Sequence, residues 1–260
     1  MERIRIDKVN GKLKSGDYVI DSFDALTIET EVNSQVDILV SSLPDESFIK
    51  MIVSEESIVN LSILAERKAS KANLEISVKK DGDLEGYFAD FSKDVINLNC
   101  VINLEEEGAT TNFRLASLGA NKDLKDINIS IKHLSPKTFG RVDNYGVCKD
   151  DARMVFSGTS HILKDSIKSK TQQNAKIMVF DKMSNAIAKP ILRIDENDIE
   201  ASHAAVVGKV SDEHIFYLTS RGLNVDEAKL LITLGYLKPI LKGFSKETAN
   251  EIDKLIEGRL

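Results

Sequence analysis

The sequence predicts a mainly β protein that ends in a short helical segment. From Arg3 to about Val210, runs of alternating apolar and polar residues are separated by polar turns, and this period of two is typical of strands. From Ser211 onward, apolar residues recur with the 3.6-residue period of a helix. We therefore expect a strand domain at residues 1–210, a helical segment at residues 211–260, and no long helix before residue 200.

The clearest strand is predicted at residues 95–104, where isoleucine, leucine and Cys100 alternate with asparagines. The same alternation occurs at residues 127–131. Shorter apolar runs predict earlier strands at residues 19–20, 26–28, 36–40 and 49–53. Many short strands without intervening helices are typical of a sandwich, a barrel or a solenoid, and the local pattern does not choose among these three. The alternating asparagines fit either stacked rungs of a solenoid or a face exposed to water.

Turns between the strands are predicted where glycine and small polar residues cluster. These positions are Asp81-Gly82-Asp83, Gly108, Gly119-Ala120-Asn121 and Ser157-Gly158.

Three short helices are predicted after residue 210. Ser211 is placed to cap the first and Gly222 to end it, while Asn224 and Glu227 have the spacing of a capping box for the second. The remaining boundary signals are Gly235 and Pro239 behind the second helix, and Ser245 and Gly258 at the ends of the third. Helices of this length are not stable alone, so they must pack on the strand domain, on each other or on a partner.

Composition excludes several functional classes. Of the 260 residues, 42% are hydrophobic, which is enough for a globular protein. The net charge of −6 and the lack of tryptophan argue against a nucleic-acid partner. Two cysteines do not form a disulfide framework, residues 1–14 do not resemble a signal peptide, and no apolar run is long enough to span a membrane. We expect a soluble, cytoplasmic protein.

Catalytic and nucleotide-binding motifs are missing from the sequence. It contains no G-x-x-x-x-G-K-[ST] loop, no G-x-G-x-x-G turn, no G-x-S-x-G elbow and no H-E-x-x-H helix. We therefore expect no ATP hydrolysis by this chain, no bound metal and no enzymatic activity of its own.

The stretch at residues 190–222 joins the last predicted strand to the first helix. Ile199, Ala201, His203, Ala205 and Val207 share one face of that strand, so a histidine lies within an apolar pattern. Imidazole can ligate iron or transfer a proton near neutral pH. The pattern alone, however, favours a half-buried histidine that is satisfied by a hydrogen bond.

Residues 132–236 carry a more specific combination of motifs. The matching residues are Pro190, Leu192, Ile194, Asp198, Ser202-His203, Gly208, Phe216-Tyr217-Leu218 and Ser220-Arg221-Gly222, with His133, Asn144-Tyr145-Gly146-Val147, Phe156-Ser157-Gly158 and Gln172-Gln173 upstream. This combination resembles the C-terminal core of the SufB/SufD family, the scaffold proteins of SUF-type iron–sulfur cluster assembly. A histidine at position 203, rather than a cysteine, resembles SufD more than SufB. The sequence departs from the family pattern in two ways. Ala204 stands where a glycine is common, and the N-terminal region that longer members carry ahead of the core is lacking.

The resemblance implies a right-handed parallel β-helix-like domain and a SufD-like scaffold role. It implies pairing with a SufB-type chain and docking of a SufC-type ATPase on the C-terminal helices. His203 would then face a nascent iron–sulfur cluster at the subunit interface, opposite a cysteine of the paired chain, with no cofactor stably bound. Two alternatives stay open, a minimal scaffold that pairs with a second copy of itself and a polysaccharide-active enzyme built on a β-helix.

Other candidate residues have both structural and functional interpretations. Phe216, Tyr217 and Arg221 could anchor a partner, as aromatic and arginine residues do in interfaces, or could pack in a core. Cys100 is expected to be a buried apolar residue, whereas Cys148 could be more exposed. The other three histidines, His133, His161 and His214, lack metal-ligand spacing, and a structural role is expected for His133.

Overall fold

The chain folds into two parallel β-sheets that wind together as a β-solenoid, followed by three short α-helices. The computed structural model describes residues 4–5, 11–23, 25–67 and 69–260. Its seventeen strands are β1 (Ile4–Arg5), β2 (Lys12–Leu13), β3 (Gly16–Ile20), β4 (Ala25–Thr30), β5 (Gln35–Val40), β6 (Glu46–Val53), β7 (Ile58–Ala65), β8 (Ala69–Val78), β9 (Asp83–Asp90), β10 (Val95–Leu104), β11 (Thr110–Gly119), β12 (Leu124–His133), β13 (Phe139–Cys148), β14 (Arg153–Ile162), β15 (Lys170–Val179), β16 (Asn185–Ile194) and β17 (Glu200–Lys209).

Successive strands alternate between the two sheets. The odd-numbered strands form a nine-stranded sheet in the order β1 to β17, and the even-numbered strands form an eight-stranded sheet in the order β16 to β2. Neighbouring strands pair in parallel, and most pairs from β3 onward keep an unbroken register. This topology confirms the expected parallel β-helix. The prediction of no long helix before residue 200 is also confirmed for the described residues.

Because neighbouring strands pair in register, side chains of similar type lie above one another in rows inside the solenoid. Cys100 of β10, for example, pairs with Leu74 of β8 and Ile129 of β12, and all three side chains are buried. Isoleucine, valine and leucine dominate these inward rows because branched side chains fill a pleated, enclosed surface well. Cys100 therefore lies in the apolar core, as its strand pattern predicts.

The outward rows are polar on the eight-stranded sheet. Asn73, Asn99 and Asn128 lie beside one another in register, and the Asn128 side-chain amide donates to Asn99 Oδ1 over 2.8 Å. The alternating asparagines thus both face water and stack along the solenoid.

One corner of the solenoid repeats the same left-handed backbone conformation. The residue there has a positive φ in coil after coil, at Asn33, Glu56, Asp81, Gly108, Lys137 and Lys168. Each of these N–H groups donates to a carbonyl of the following coil, as Asp81 does to the Glu107 carbonyl over 3.0 Å. The predicted turns at residues 81–83 and 108 are confirmed, and this ladder links the coils at a point where the sheets are interrupted.

The turn predicted at Ser157-Gly158 is wrong. Both residues lie within β14, where Gly158 pairs with Pro190 of β16. A Cβ atom on Gly158 would lie 1.9 Å from the carbonyl oxygen of Ile129 on β12. Glycine is needed here because two backbones approach closely, and a glycine within a strand often marks such an approach.

The C-terminal helices are α1 (Asp212–Ser220), α2 (Val225–Leu237) and α3 (Lys246–Glu257), with a 3₁₀ helix at Lys238–Gly243. The predicted caps at Ser211, Asn224 and Ser245 all accept hydrogen bonds from the first turns of their helices, and Asn224 forms the full capping box. Gly235, expected behind the second helix, lies inside α2 instead. That helix continues to the buried Leu237 and stops two residues before Pro239. None of the described helices is long and apolar enough to cross a membrane.

Two of these helices cover the middle of the nine-stranded sheet on its outer face. Leu237, Ile240, Ile252 and Ile256 from the helical segment are buried against the sheet. The sheet contributes Leu64, Ala89, Phe91, Ala116, Leu118, Val147 and Phe180. The Arg259 guanidinium fastens the end of the segment by donating to the Phe91 and Ser92 carbonyls and to the Asp123 carboxylate.

That attachment point lies beside a buried ion pair. Lys125 Nζ is 3.2 Å from Asp90 Oδ1 and 2.8 Å from the Ser92 carbonyl, and the Ser117 hydroxyl donates to the second Asp90 oxygen over 2.6 Å. Both charged side chains are fully enclosed. Since each charge depends on the other for compensation, removing one partner is expected to be strongly destabilising.

Gly158 and Gly235 form a matched pair for testing the strand position of Gly158. Gly158→Ala should lower the free energy of unfolding by at least about 3 kcal/mol, because a backbone atom blocks the added methyl group. Gly235→Ala should raise it by roughly 0.5–1 kcal/mol, because the space around Gly235 is open and alanine favours a helix. Urea unfolding of both variants measures the difference, and equal stabilities would contradict this backbone approach.

Candidate functional site

The last coil of the solenoid is left uncovered. Among the described residues, β17 pairs only with β15 and β16 pairs only with β14, so each strand forms the edge of its sheet. Inward residues of the preceding coil, such as Ile177, are buried, whereas Val207, in register beside it, is exposed. Ile191 and Val206 on the outer faces are also 53% and 55% exposed. Unpaired backbone groups and apolar side chains therefore meet at this open end.

His203 lies in an inward row at the open end. In register, Phe113, Val142, Gln173 and His203 form one row from β11 to β17. The first three are buried, but no further strand follows β17, and His203 is exposed. The half-buried position that the strand pattern favours is therefore wrong, because the pattern fixes the face of the strand and not whether another coil covers it.

The interior becomes polar directly next to His203. Gln173 and Asn144 are 5% and 7% exposed, and one side-chain oxygen of each has no hydrogen-bond partner. Both line a cavity of about 10 Å³ together with Gly158 and Pro190, and the buried Ser160 hydroxyl is also unpartnered. An unpaired buried polar group costs about 1–3 kcal/mol. The polar lumen was missed by the sequence analysis, although Gln172-Gln173 and Asn144 stand among the quoted motif residues.

The two cysteines are far less accessible than His203. Cys100 and Cys148 are both fully enclosed. Burial raises the pKa of the Cys100 thiol far above its ordinary value, and burial raises that of Cys148 to about 11. Neither cysteine is a thiolate near neutral pH, so neither is a ready ligand or nucleophile. Cys148 is not the more exposed cysteine that the sequence pattern allowed.

The other histidines occupy three different environments. His133 is buried, with Nδ1 2.7 Å from Thr138 Oγ1, and burial lowers the pKa of its imidazole to about 4. It is therefore neutral near pH 7, as a structural residue of the core would be. His161 Nε2 is 2.6 Å from the Asp195 carboxylate, and His214 is exposed on α1. Among the described residues, no group of three His, Cys, Asp or Glu side chains could hold a metal ion.

Helix α1 has no buried residue and contacts mainly α2. Phe216 and Tyr217 are 73% and 56% exposed, and the Arg221 guanidinium lies 5.3 Å from the centre of the Tyr217 ring. In the isolated chain, these side chains are not part of a core. They form an exposed aromatic surface about ten residues after the open edge strand.

Comparison with known proteins fits this architecture. The family model described as "SUF system FeS cluster assembly, SufBD core domain" matches residues 14–236, from the first coils of the solenoid to α2. This chain belongs to the SufBD core family. The matched region includes β16, β17 and α1, so the open end and the exposed helix both lie within the family domain.

Several curated relatives are similar to this SufBD chain. The iron–sulfur cluster assembly protein SufD of Bacillus subtilis (strain 168) is 29% identical over 160 residues, covering 60% of this chain and 37% of the relative. A SufBD family protein of Mycobacterium tuberculosis (strain H37Rv) is 32% identical over 133 residues, covering 51% and 16%. One of Staphylococcus saprophyticus is 28% identical over 160 residues, covering 61% and 34%. The matches therefore span little more than a third of each relative's length, or less.

Proposed function

We propose that this chain is a SufD-like scaffold subunit that pairs through its open β16–β17 end with another β-solenoid chain. The observation that carries the proposal is an uncovered coil with ten-residue edge strands and exposed apolar side chains. Proteins usually protect such edges, because they pair readily with strands of another chain. A paired chain would cover Ile191, Val206 and Val207 and would enclose His203.

The residues at this end favour a partner of a different kind over a second copy. An imidazole together with thiolates can bind iron, and iron–sulfur clusters are held mainly by thiolates. The sequence has two cysteines, and both are buried with raised thiol pKa values. A pair of identical chains would bring two copies of His203 together without an accessible thiolate. A SufB-type chain with a cysteine at its own open end would supply the missing ligand, and the nascent cluster would be the cargo of the pair.

We also propose that α1 docks the SufC-type ATPase of the system. Because the sequence lacks a phosphate-binding loop, ATP hydrolysis must come from another chain. Aromatic and arginine side chains commonly anchor interfaces, and α1 carries Phe216, Tyr217 and Arg221. These side chains are available to a partner because α1 has no buried residue in this chain. ATP-driven movement of α1 would reach the open end through the short connection from β17.

Replacing His203 separates the scaffold role from a structural role. His203→Ala should leave the unfolding temperature of the isolated chain within about 2 °C of the wild type, because the side chain is exposed. Cluster formation by the chain mixed with its SufB-type partner should fall by roughly tenfold. Disturbed ligation at metal sites commonly lowers metal affinity or activity by at least that factor. Iron–sulfur absorbance measures the yield. Ser202→Ala, on the opposite face of the strand, is the control, and an equal loss in both variants would refute the role of His203.

Replacing the aromatic pair of α1 tests ATPase docking. The double variant Phe216→Ser/Tyr217→Ser should weaken binding of the SufC-type ATPase by roughly 30-fold, the loss expected for anchor residues. Its unfolding temperature should stay close to that of the wild type, because neither ring is buried. The control is Phe48→Ser, which removes an exposed ring from β6 of the eight-stranded sheet, away from α1. Unchanged affinity in the double variant, measured by calorimetry, would place the ATPase elsewhere.

A further inference from the structure

A groove separates the outer face of the first coils from the C-terminal helical segment. It consists of two adjoining cavities of about 230 and 630 Å³ that share Val19 and Leu39 in their walls. One wall is the outer face of β3, β5 and β7, and the other is the chain from Gly243 through α3. This surface, called here the α3 groove, lies on the side of the molecule that neither the open end nor α1 occupies.

The floor of the α3 groove is apolar. Val19 and Leu64 of the sheet are nearly buried, and Leu39 is half-buried. Phe244 and Leu255 of the helical segment are half-buried and belong to the same apolar cluster as the helix–sheet contact. The floor is thus the edge of that contact, where the helical segment stops covering the sheet.

The rim of the α3 groove is strongly acidic. Its lining residues with charged side chains are Asp17, Asp21, Asp37, Glu66, Glu247, Glu251 and Lys254. Glu66 is ion-paired with Arg67 and Asp21 accepts a hydrogen bond from the Ser41 hydroxyl, so the acidic character of the groove rests mainly on Asp17, Asp37, Glu247 and Glu251 against the ammonium of Lys254. A cleft of one sign focuses its electric field and raises the local concentration of oppositely charged ligands.

The carboxylates are distributed along both walls. Asp37 on the sheet wall accepts a hydrogen bond from the Asn60 amide over 2.7 Å, and a neutral amide orients that carboxylate without cancelling its charge. Glu247 and Glu251 stand one helical turn apart on α3 and are exposed. From residue 247 to residue 255 the α3 wall is roughly 12 Å long. That length accommodates about two turns of a helix.

We propose that the α3 groove docks an amphipathic, lysine- or arginine-rich segment of another protein. Apolar side chains of the segment would lie over Leu39 and Leu255, and its cations would reach the carboxylates on both walls. Nucleic acids and anionic lipid surfaces are repelled by this charge. A bound divalent cation does not account for the groove, since the described residues contain no cluster of three suitable ligands. The groove is separate from the pairing and ATPase surfaces, so this interaction would add a third partner contact.

The probe for this site is a fluorescein-labelled helical peptide with lysines on one face and leucines on the other. Its counterpart has glutamates in place of the lysines. Fluorescence anisotropy with the full chain at low salt should show binding of the lysine peptide and none of the glutamate peptide. Binding should weaken as salt is raised, because ions screen exposed charges. Failure of the lysine peptide to bind would overturn the proposal.

Variants locate the bound peptide. Glu247→Gln/Glu251→Gln should raise the Kd of the lysine peptide by roughly tenfold, whereas Glu213→Gln/Asp226→Asn, on α1 and α2, should change it less than about twofold. Leu39→Ser should also raise the Kd by roughly fivefold while the unfolding temperature shows that the chain remains folded. Equal effects of the two charge variants would mean a diffuse attraction. An unchanged Kd for folded Leu39→Ser would mean that no apolar seat exists, and either result would overturn the proposal.

Discussion

In-register parallel pairing is the interaction on which the rest of the structure depends. Each coil satisfies half of its strand hydrogen bonds with the coil before it and half with the coil after it, and the same register stacks the inward side chains into rows. This arrangement stabilises the coils that have a neighbour on both sides. Because β16 and β17 have a neighbour on one side only, the row of Phe113, Val142 and Gln173 ends in an exposed His203. The proposed functional site is thus a direct consequence of where the solenoid stops.

The helical segment has the opposite relation to the solenoid. It leaves β17 through the exposed α1 and then turns back to bury Leu237, Ile252 and Ile256 on the outer face of earlier coils. Arg259 fastens it near the buried Asp90–Lys125 pair, well away from the open end. Two surfaces result from this path, an aromatic helix left without a core and an acidic groove where the coverage of the sheet ends. In the proposed scaffold role, such separation would let each partner bind without displacing another.

Much of the fold could be predicted from local sequence, because alternation and helix caps are local properties. Val95–Leu104 is a strand with the predicted bounds, and Ser211, Asn224 and Ser245 all cap helices. Contacts between distant segments could not be predicted in this way. The local sequence predicts a turn at Gly158, but the close approach of the Ile129 backbone requires a glycine within a strand there. It likewise predicts a helix end at Gly235, but α2 continues because Leu237 is buried against the sheet. The face that His203 occupies was predictable, but its exposure was not, since exposure depends on the absence of a further coil. The α3 groove joins residues more than 200 positions apart and has no local signature.

Hydrogen exchange of the β17 backbone amides tests the central claim most directly. In the isolated chain, the amides of Glu200–Lys209 that are not bonded to β15 should exchange rapidly, whereas those of β15, already paired on both sides, should be protected. Addition of a SufB-type partner should slow exchange in β17 and leave β15 unchanged. If a stable complex forms while the β17 amides exchange as fast as before, the open end is not the pairing surface and the account of the site is wrong.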